Sequence, residues 1–126
     1  MDTDAHALLA LAQTYFDAAY EMDADKFASI FHRSSSVTKI GEDGEVSTTP
    51  IELWLAAVRT LQSPKQFGAE RQDAVLSVDI VKDLAHLKLR LQIPPRRVID
   101  MLSCLKVCET WMIVQKVMTA ENLERK

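Results

Sequence analysis

Ala85-His86-Leu87-Lys88-Leu89-Arg90-Leu91-Gln92-Ile93 alternates apolar and polar side chains at every step. Side chains on a strand point to opposite faces in turn, so this period of two predicts a strand with one buried and one wet face. Before it, Leu76, Val78 and Ile80 alternate with Ser77 and Asp79, and Lys82-Asp83 separates the two runs as a turn. After it, Pro94-Pro95-Arg96 breaks the pattern, residues 98–107 read as a third strand, Glu109-Thr110 as a turn, and 111–118 as a fourth strand. A four-stranded antiparallel meander results. Its last two strands are apolar on both faces: Val98, Leu102 and Cys104 on one, Ile99, Met101, Leu105 and Val107 on the other. A sheet with one wet face would alternate cleanly. One face is therefore expected to cover helices and the other to meet a second copy of the sheet, which predicts a homodimer.

Toward the N-terminus the period changes. Leu8, Leu11, Tyr15, Ala19 and Met22 follow helical spacing, with Phe16 and Tyr20 widening the stripe and Thr3 or Asp4 as the expected cap. Asp23 is expected to cap a short second helix presenting Phe27, Ile30 and Phe31. Ser34-Ser35-Ser36 ends it, and 37–40 and 45–48 read as a hairpin turning at Asp43-Gly44, where a tight turn needs positive φ. Thr49-Pro50-Ile51-Glu52 reads as a capping box opening a helix that buries Leu53, Trp54, Ala57, Val58 and Leu61 and stops before Ser63-Pro64. Helices first and strands later predict the α+β class rather than alternating βαβ units. The reading is one domain over 1–126, with its core in 5–119 and 120–126 as a tail.

With 126 residues, 48% hydrophobic and 26% charged, the composition suits a folded chain that needs no metal or disulfide to hold a core. A formal charge of −3 and a basic cluster limited to Arg96, Arg97 and nearby Arg90 argue against a nucleic-acid partner. No stretch approaches the ~20 apolar residues of a membrane span. Asp2 and Asp4 precede the apolar run at 8–12 where an export signal wants positive charge, so the cytoplasm is the expected location. Cys104 and Cys108, four residues apart in a segment that reads as strand, would lie about 13 Å apart, too far for a disulfide, and are expected to be reduced core thiols.

Four strings, in order, carry a family resemblance: Tyr15-Phe16-Asp17 with Tyr20; Asp23-Ala24-Asp25-Lys26 leading to Ser29-Ile30-Phe31-His32; Leu53-Trp54-Leu55; and Asp100-Met101-Leu102-Ser103-Cys104-Leu105-Lys106 followed by Trp111-Met112-Ile113-Val114 and Lys116-Val117. Together they resemble the nuclear-transport-factor-two-like superfamily over nearly all of 5–119, closest to the bacterial group called putative lumazine-binding proteins. The resemblance implies a cone-shaped α+β (cystatin-like) domain: N-terminal helices on a curved antiparallel sheet, a pocket open at one end, and commonly a dimer through the sheet. That superfamily hosts ketosteroid isomerases, dehydratases, polyketide cyclases and non-catalytic binding modules, so the fold alone selects no activity.

Asp100 is the leading candidate for chemistry. It shares a face with Val98, Leu102 and Cys104, and burial there would raise its pKa and let it donate a proton near neutral pH. The string Val98-Ile99-Asp100 looks like the ketosteroid-isomerase strand that supplies a protonated aspartic acid to an oxyanion hole. The plainer alternative is a buried Asp bonded to Arg90, Lys116 or a backbone amide. His32 is read either as a base or donor to a ligand, or as a cap on the second helix. Tyr15 and Trp54 combine an aromatic face with a polar tip and are chosen as ligand contacts. Lys116 either meets an anionic ligand or pairs with Asp100, and Cys104 reads as packing. His6 and His86 have no ligand spacing, so neither a metal nor a cofactor is expected. Val37-Thr38-Lys39-Ile40 lacks the carboxylate base of ketosteroid isomerases, the family's common Pro-Asp after Phe-His is Arg33-Ser34 here, and Glu109-Thr110 replaces a glycine-containing turn. The expected function is small-molecule binding in the cone, with a lyase or isomerase using Asp100 and His32 as the alternative and a filled, purely structural domain as a third possibility.

Overall fold

The computed structural model describes residues 3–123. Its first helix, α1 (Thr3–Glu21), buries Leu8, Leu11, Ala12, Tyr15, Phe16, Ala18 and Ala19, the stripe that helical spacing predicts. Thr3 and Asp4 stand inside the first turn rather than ahead of it, so neither is the cap. Asp4 instead reaches across to the sheet, accepting from the Trp111 indole at 3.1 Å and pairing with Lys106 at 2.8 Å. Asp23 does cap α2 (Ala24–Ala28), its carboxylate accepting from the Lys26 amide.

Next come β1 (Ser36–Ile40) and β2 (Val46–Pro50), an antiparallel hairpin with Gly44 at φ +84° in the turn. Because β2 runs through Thr49 and Pro50, the expected capping box does not form: Thr49 pairs with Val37, and Pro50 precedes the helix without a side-chain cap. The helix, α3 (Ile51–Val58), is also shorter than expected and turned differently. It buries Ile51 and Val58, half-buries Trp54 and leaves Leu53 (63%) and Ala57 exposed, while Leu61 (55%), expected in the helix, lies beyond its end and is exposed too. The physical reason is its seat, against β1, β2 and α2 at the sheet's margin instead of over the centre of the meander.

The meander follows as β3 (Ala74–Val81), β4 (Leu84–Ile93), β5 (Arg96–Val107) and β6 (Thr110–Asn122). It is joined to the hairpin: β1 pairs parallel with β6, giving one six-stranded sheet in the order β2-β1-β6-β5-β4-β3. The turn after β5 is Cys108-Glu109, one residue earlier than expected, with both residues at positive φ. That places Cys108 on an exposed turn and leaves Cys104 alone in the core. β6 also continues to Asn122, so 120–122 is strand rather than tail, and 124–126 lie outside the described residues.

Ala85, Leu87, Leu89 and Leu91 of β4, with Val98, Leu102 and Cys104 of β5, are buried on the face toward the helices. The other face keeps Leu84, Met101, Leu105 and Val117 between 39% and 50% exposed. One irregularity governs the inner face. Ser103 opposes Gln115 and Cys104 opposes Ile113, so Val114 is an extra residue, a β-bulge. Trp111 and Ile113 face inward before it, and Lys116 and Met118 after it.

Candidate functional site

Period-two parity on three strands sends a series of side chains into the space beneath the helices. On β5 these are Arg96, Val98 and Asp100; on β6, beyond the bulge, Lys116, Met118 and Ala120; on β4, Leu91 and Ile93. Tyr15 and Ala19 of α1, Phe27 of α2, and Trp54 and Val58 of α3 close the other side, and Lys39 of β1 stands at the margin. They enclose a cavity of about 340 Å³.

Asp100, only 1% exposed, is the polar centre of this wall. The Tyr15 hydroxyl donates to its Oδ2 at 2.6 Å, and the Lys116 ammonium lies 3.8 Å from the same oxygen. Lys116 opposes Leu102, two residues along from Asp100, so the pair spans β5 and β6 diagonally. Its Nζ sits 4.2 Å from the Trp54 ring centroid and 5.3 Å from that of Tyr15, a cation held between two π faces. Phe27 ties the aromatic wall together, edge-on to Tyr15 at 5.2 Å and to Trp54 at 4.9 Å. Oδ1 of Asp100 has no hydrogen-bond partner among the described residues.

Burial sets the protonation of the neighbours. Removal from water, with the Asp100 carboxyl alongside, pushes the Tyr15 hydroxyl well above its usual value, so it stays a donor. Burial pulls the Lys116 ammonium down, Asp100 opposes that fall, and the Lys39 charge adds to it. Burial alone pushes the Cys104 thiol up to about 12, which leaves it an inert packing group.

Of the residues singled out in the sequence, the structure brings Tyr15, Trp54, Asp100 and Lys116 together and leaves His32 out. The His32 backbone amide donates to the Ile113 carbonyl at 2.8 Å, pinning the end of the helical segment to β6. Its ring turns back to Ser34, 2.8 Å from the hydroxyl, and is not part of the cavity wall. Arg90 is not Asp100's partner either, because β4 parity puts it on the opposite face, across from Ile99. Sequence reading missed Lys39 and Arg96 as wall residues. Parity offered the signal: Lys39 is two residues from buried Val37, and Arg96 two from buried Val98. Among the described residues there is no group of three metal-ligating side chains, and no helix is long and apolar enough to cross a membrane.

Solved structures share this architecture. An NTF2-like protein of unknown function from Shewanella baltica superposes with a TM-score of 0.86 at 20% identity, covering 94% of each chain. Another from Silicibacter pomeroyi gives 0.83 at 27% identity over 96% of this chain and all of the other. A ketosteroid isomerase-like protein from Erwinia carotovora gives 0.73 at 10% identity over 95% and 98%. No curated protein matches the sequence. The family described as "Putative lumazine-binding" matches residues 3–119, nearly the whole chain. A six-stranded sheet under N-terminal helices and that match agree: the chain belongs to the "Putative lumazine-binding" family and has the NTF2-like fold.

Proposed function

We propose that the protein binds a small, partly aromatic molecule in this cavity, with Asp100 as its inner polar contact and Tyr15, Trp54 and Lys116 around it. One observation carries the reading: a buried carboxyl oxygen without a partner among the described residues, on a residue that lines the cavity. Unsatisfied buried acceptors cost about 1–3 kcal/mol, and a ligand N–H or O–H would remove that cost. The volume falls in the range of small-molecule sites, and the wall is apolar apart from a few convergent polar groups. The family's name makes lumazine the first probe to try. With Trp111 replaced by phenylalanine, Trp54 reports on the cavity. Saturable quenching by lumazine, or one small molecule per chain in native mass spectra, supports the reading. Absence of both refutes it.

The lyase or isomerase alternative retains Asp100 as acid but lacks its base, since His32 lies outside the wall. The homodimer is proposed on the outer face of the sheet, where Leu84, Met101, Leu105 and Val117 remain exposed together. Sedimentation at micromolar concentration should give twice 14.2 kDa, shifting to 14.2 kDa in Met101→Lys/Val117→Lys. A wild-type monomer defeats the sheet pairing.

A further inference from the structure

The cavity has a polarity along its length. Its inner end is Asp100 with Tyr15 and Lys116, and this cluster is balanced: one carboxyl faces one ammonium 3.8 Å away. Toward the open side the wall includes Lys39 and Arg96, both exposed, and neither forms an ion pair among the described residues. Among the described residues Asp100 is the only acidic side chain in the wall, against three cations, in a chain whose formal charge is −3. The site is therefore locally electropositive on an acidic protein. Low-dielectric walls focus such a field, which attracts anions from solution.

Which end takes the anion follows from what is already satisfied. A carboxylate pushed to the inner end would meet Asp100, and Lys116 is occupied by that same residue and by the Trp54 and Tyr15 rings. What the inner end lacks is a donor, for Asp100 Oδ1. An anion at the outer end meets Lys39 and Arg96, with no competing carboxylate in the wall among the described residues. Between the ends the lining is Phe27, Trp54, Leu91, Val98 and Met118, which suits a flat apolar body.

Resting on the proposed function above, we infer that the ligand is an amphipathic organic acid bound with one orientation. A hydrogen-bond donor at its inner end meets Asp100 Oδ1, a planar apolar body fills the middle, and a carboxylate at its outer end meets Lys39 and Arg96.

Three commercial probes separate the terms. Indole-3-acetate carries an N–H at one end and a carboxylate at the other, indole-3-acetamide removes the charge, and naphthalene-1-acetate removes the N–H. Affinities are measured by isothermal titration calorimetry. Indole-3-acetate should bind about tenfold tighter than its amide at low ionic strength, with the gap closing as salt rises to about 0.5 M. It should also bind several-fold tighter than naphthalene-1-acetate. Lys39→Glu/Arg96→Glu should cost the acid about tenfold and leave the amide unchanged, whereas Arg33→Glu/Lys82→Glu, the same charge change away from the wall, should cost neither. Equal affinity of acid and amide, or a double reversal without effect on the acid, overturns the inference while leaving a binding cavity. If none of the three binds, this ligand class is wrong, and the lumazine and native-mass measurements decide separately whether the cavity binds anything.

Discussion

Replacing Asp100 with leucine tests whether the centre of the wall is a coupled unit. The substitution keeps the branched side-chain shape, though in a larger volume, and removes both the 2.6 Å bond from Tyr15 and the charge 3.8 Å from Lys116. Lys116 is 4% exposed, so it would be left as an uncompensated ammonium in an apolar wall, and the Tyr15 hydroxyl would be an orphaned donor. Breaking a buried pair from one side costs about 3–5 kcal/mol. A domain of this size has about 5–15 kcal/mol in total, and each kcal/mol moves Tm by roughly 4 °C, so Asp100→Leu should lower Tm by about 12–20 °C. Lys116→Met alone should cost less, about 1–3 kcal/mol, because Asp100 keeps its bond from Tyr15. The triple variant Asp100→Leu/Lys116→Met/Tyr15→Phe, which removes every polar member, should return to within about 2 kcal/mol of wild type, since well-packed apolar replacements of buried pairs are commonly neutral. The assay is urea unfolding by circular dichroism at pH 7, on protein refolded from denaturant to shed any bound small molecule. Costs that add within about 0.5 kcal/mol would mean these groups do not act together, and the account of the site would be wrong.

Other consequences are separable. Because the Tyr15 pKa is raised in the folded state, its contribution is intact below its unfolded value near 10 and is lost as pH climbs through the folded value. Stability measured from pH 9 upward should therefore fall more steeply in wild type than in Tyr15→Phe; parallel curves would contradict the assignment. Glu109 holds φ +67° in the turn between β5 and β6, a conformation that costs a side chain about 1 kcal/mol, so Glu109→Gly should raise Tm by a few degrees. A lower Tm would show that the turn is not strained in this way. Iodoacetamide at pH 8 should label exposed Cys108 and spare Cys104, whose thiol is pushed up to about 12, until urea opens the core. Equal labelling of both in the native protein would place Cys104 at the surface.

Strong periodicity made most of the fold legible. The alternation at 85–93 and the stripe from Leu8 to Met22 each report a face buried along its whole length, and both faces are where the spacing puts them. Reading failed where local chemistry competed with a tertiary pairing. Thr49-Pro50-Ile51-Glu52 has every residue of a capping box, yet pairing with β1 holds Thr49 in a strand. Leu53 and Leu61 carry helical spacing, but α3 rests at the sheet's margin, where little of its circumference is covered. The turn at Cys108-Glu109 was misplaced by one residue because it adopts positive φ without the glycine that ordinarily marks such a turn. The place of His32 at the end of the helical segment leaves its direction open. Its direction depends on a backbone bond to Ile113, a residue 81 positions away, which no local pattern encodes.

The site itself depends on one extra residue. Strict alternation along β6 from Trp111 and Ile113 would turn Gln115 and Val117 inward and send Lys116 to the outer face. The bulge at Val114 reverses that parity, so Lys116 faces Asp100 while Val117 joins Met101 outside. A one-residue slip in a strand exchanges its two faces, so this bulge decides both the charge of the cavity and the apolarity of the outer face. The cavity and the proposed dimer surface thus have a common structural origin. Deleting Val114 takes out only the unpaired residue: Ile113 still opposes Cys104 and Gln115 still opposes Ser103, so Lys116 should keep facing Asp100 and Val117 should stay outside. Loss of the Asp100–Lys116 coupling in that variant would refute the parity argument. The faces taken by residues 115–118 thus depend on a residue that the ladder leaves unpaired, which makes the bulge the point where fold and site are joined.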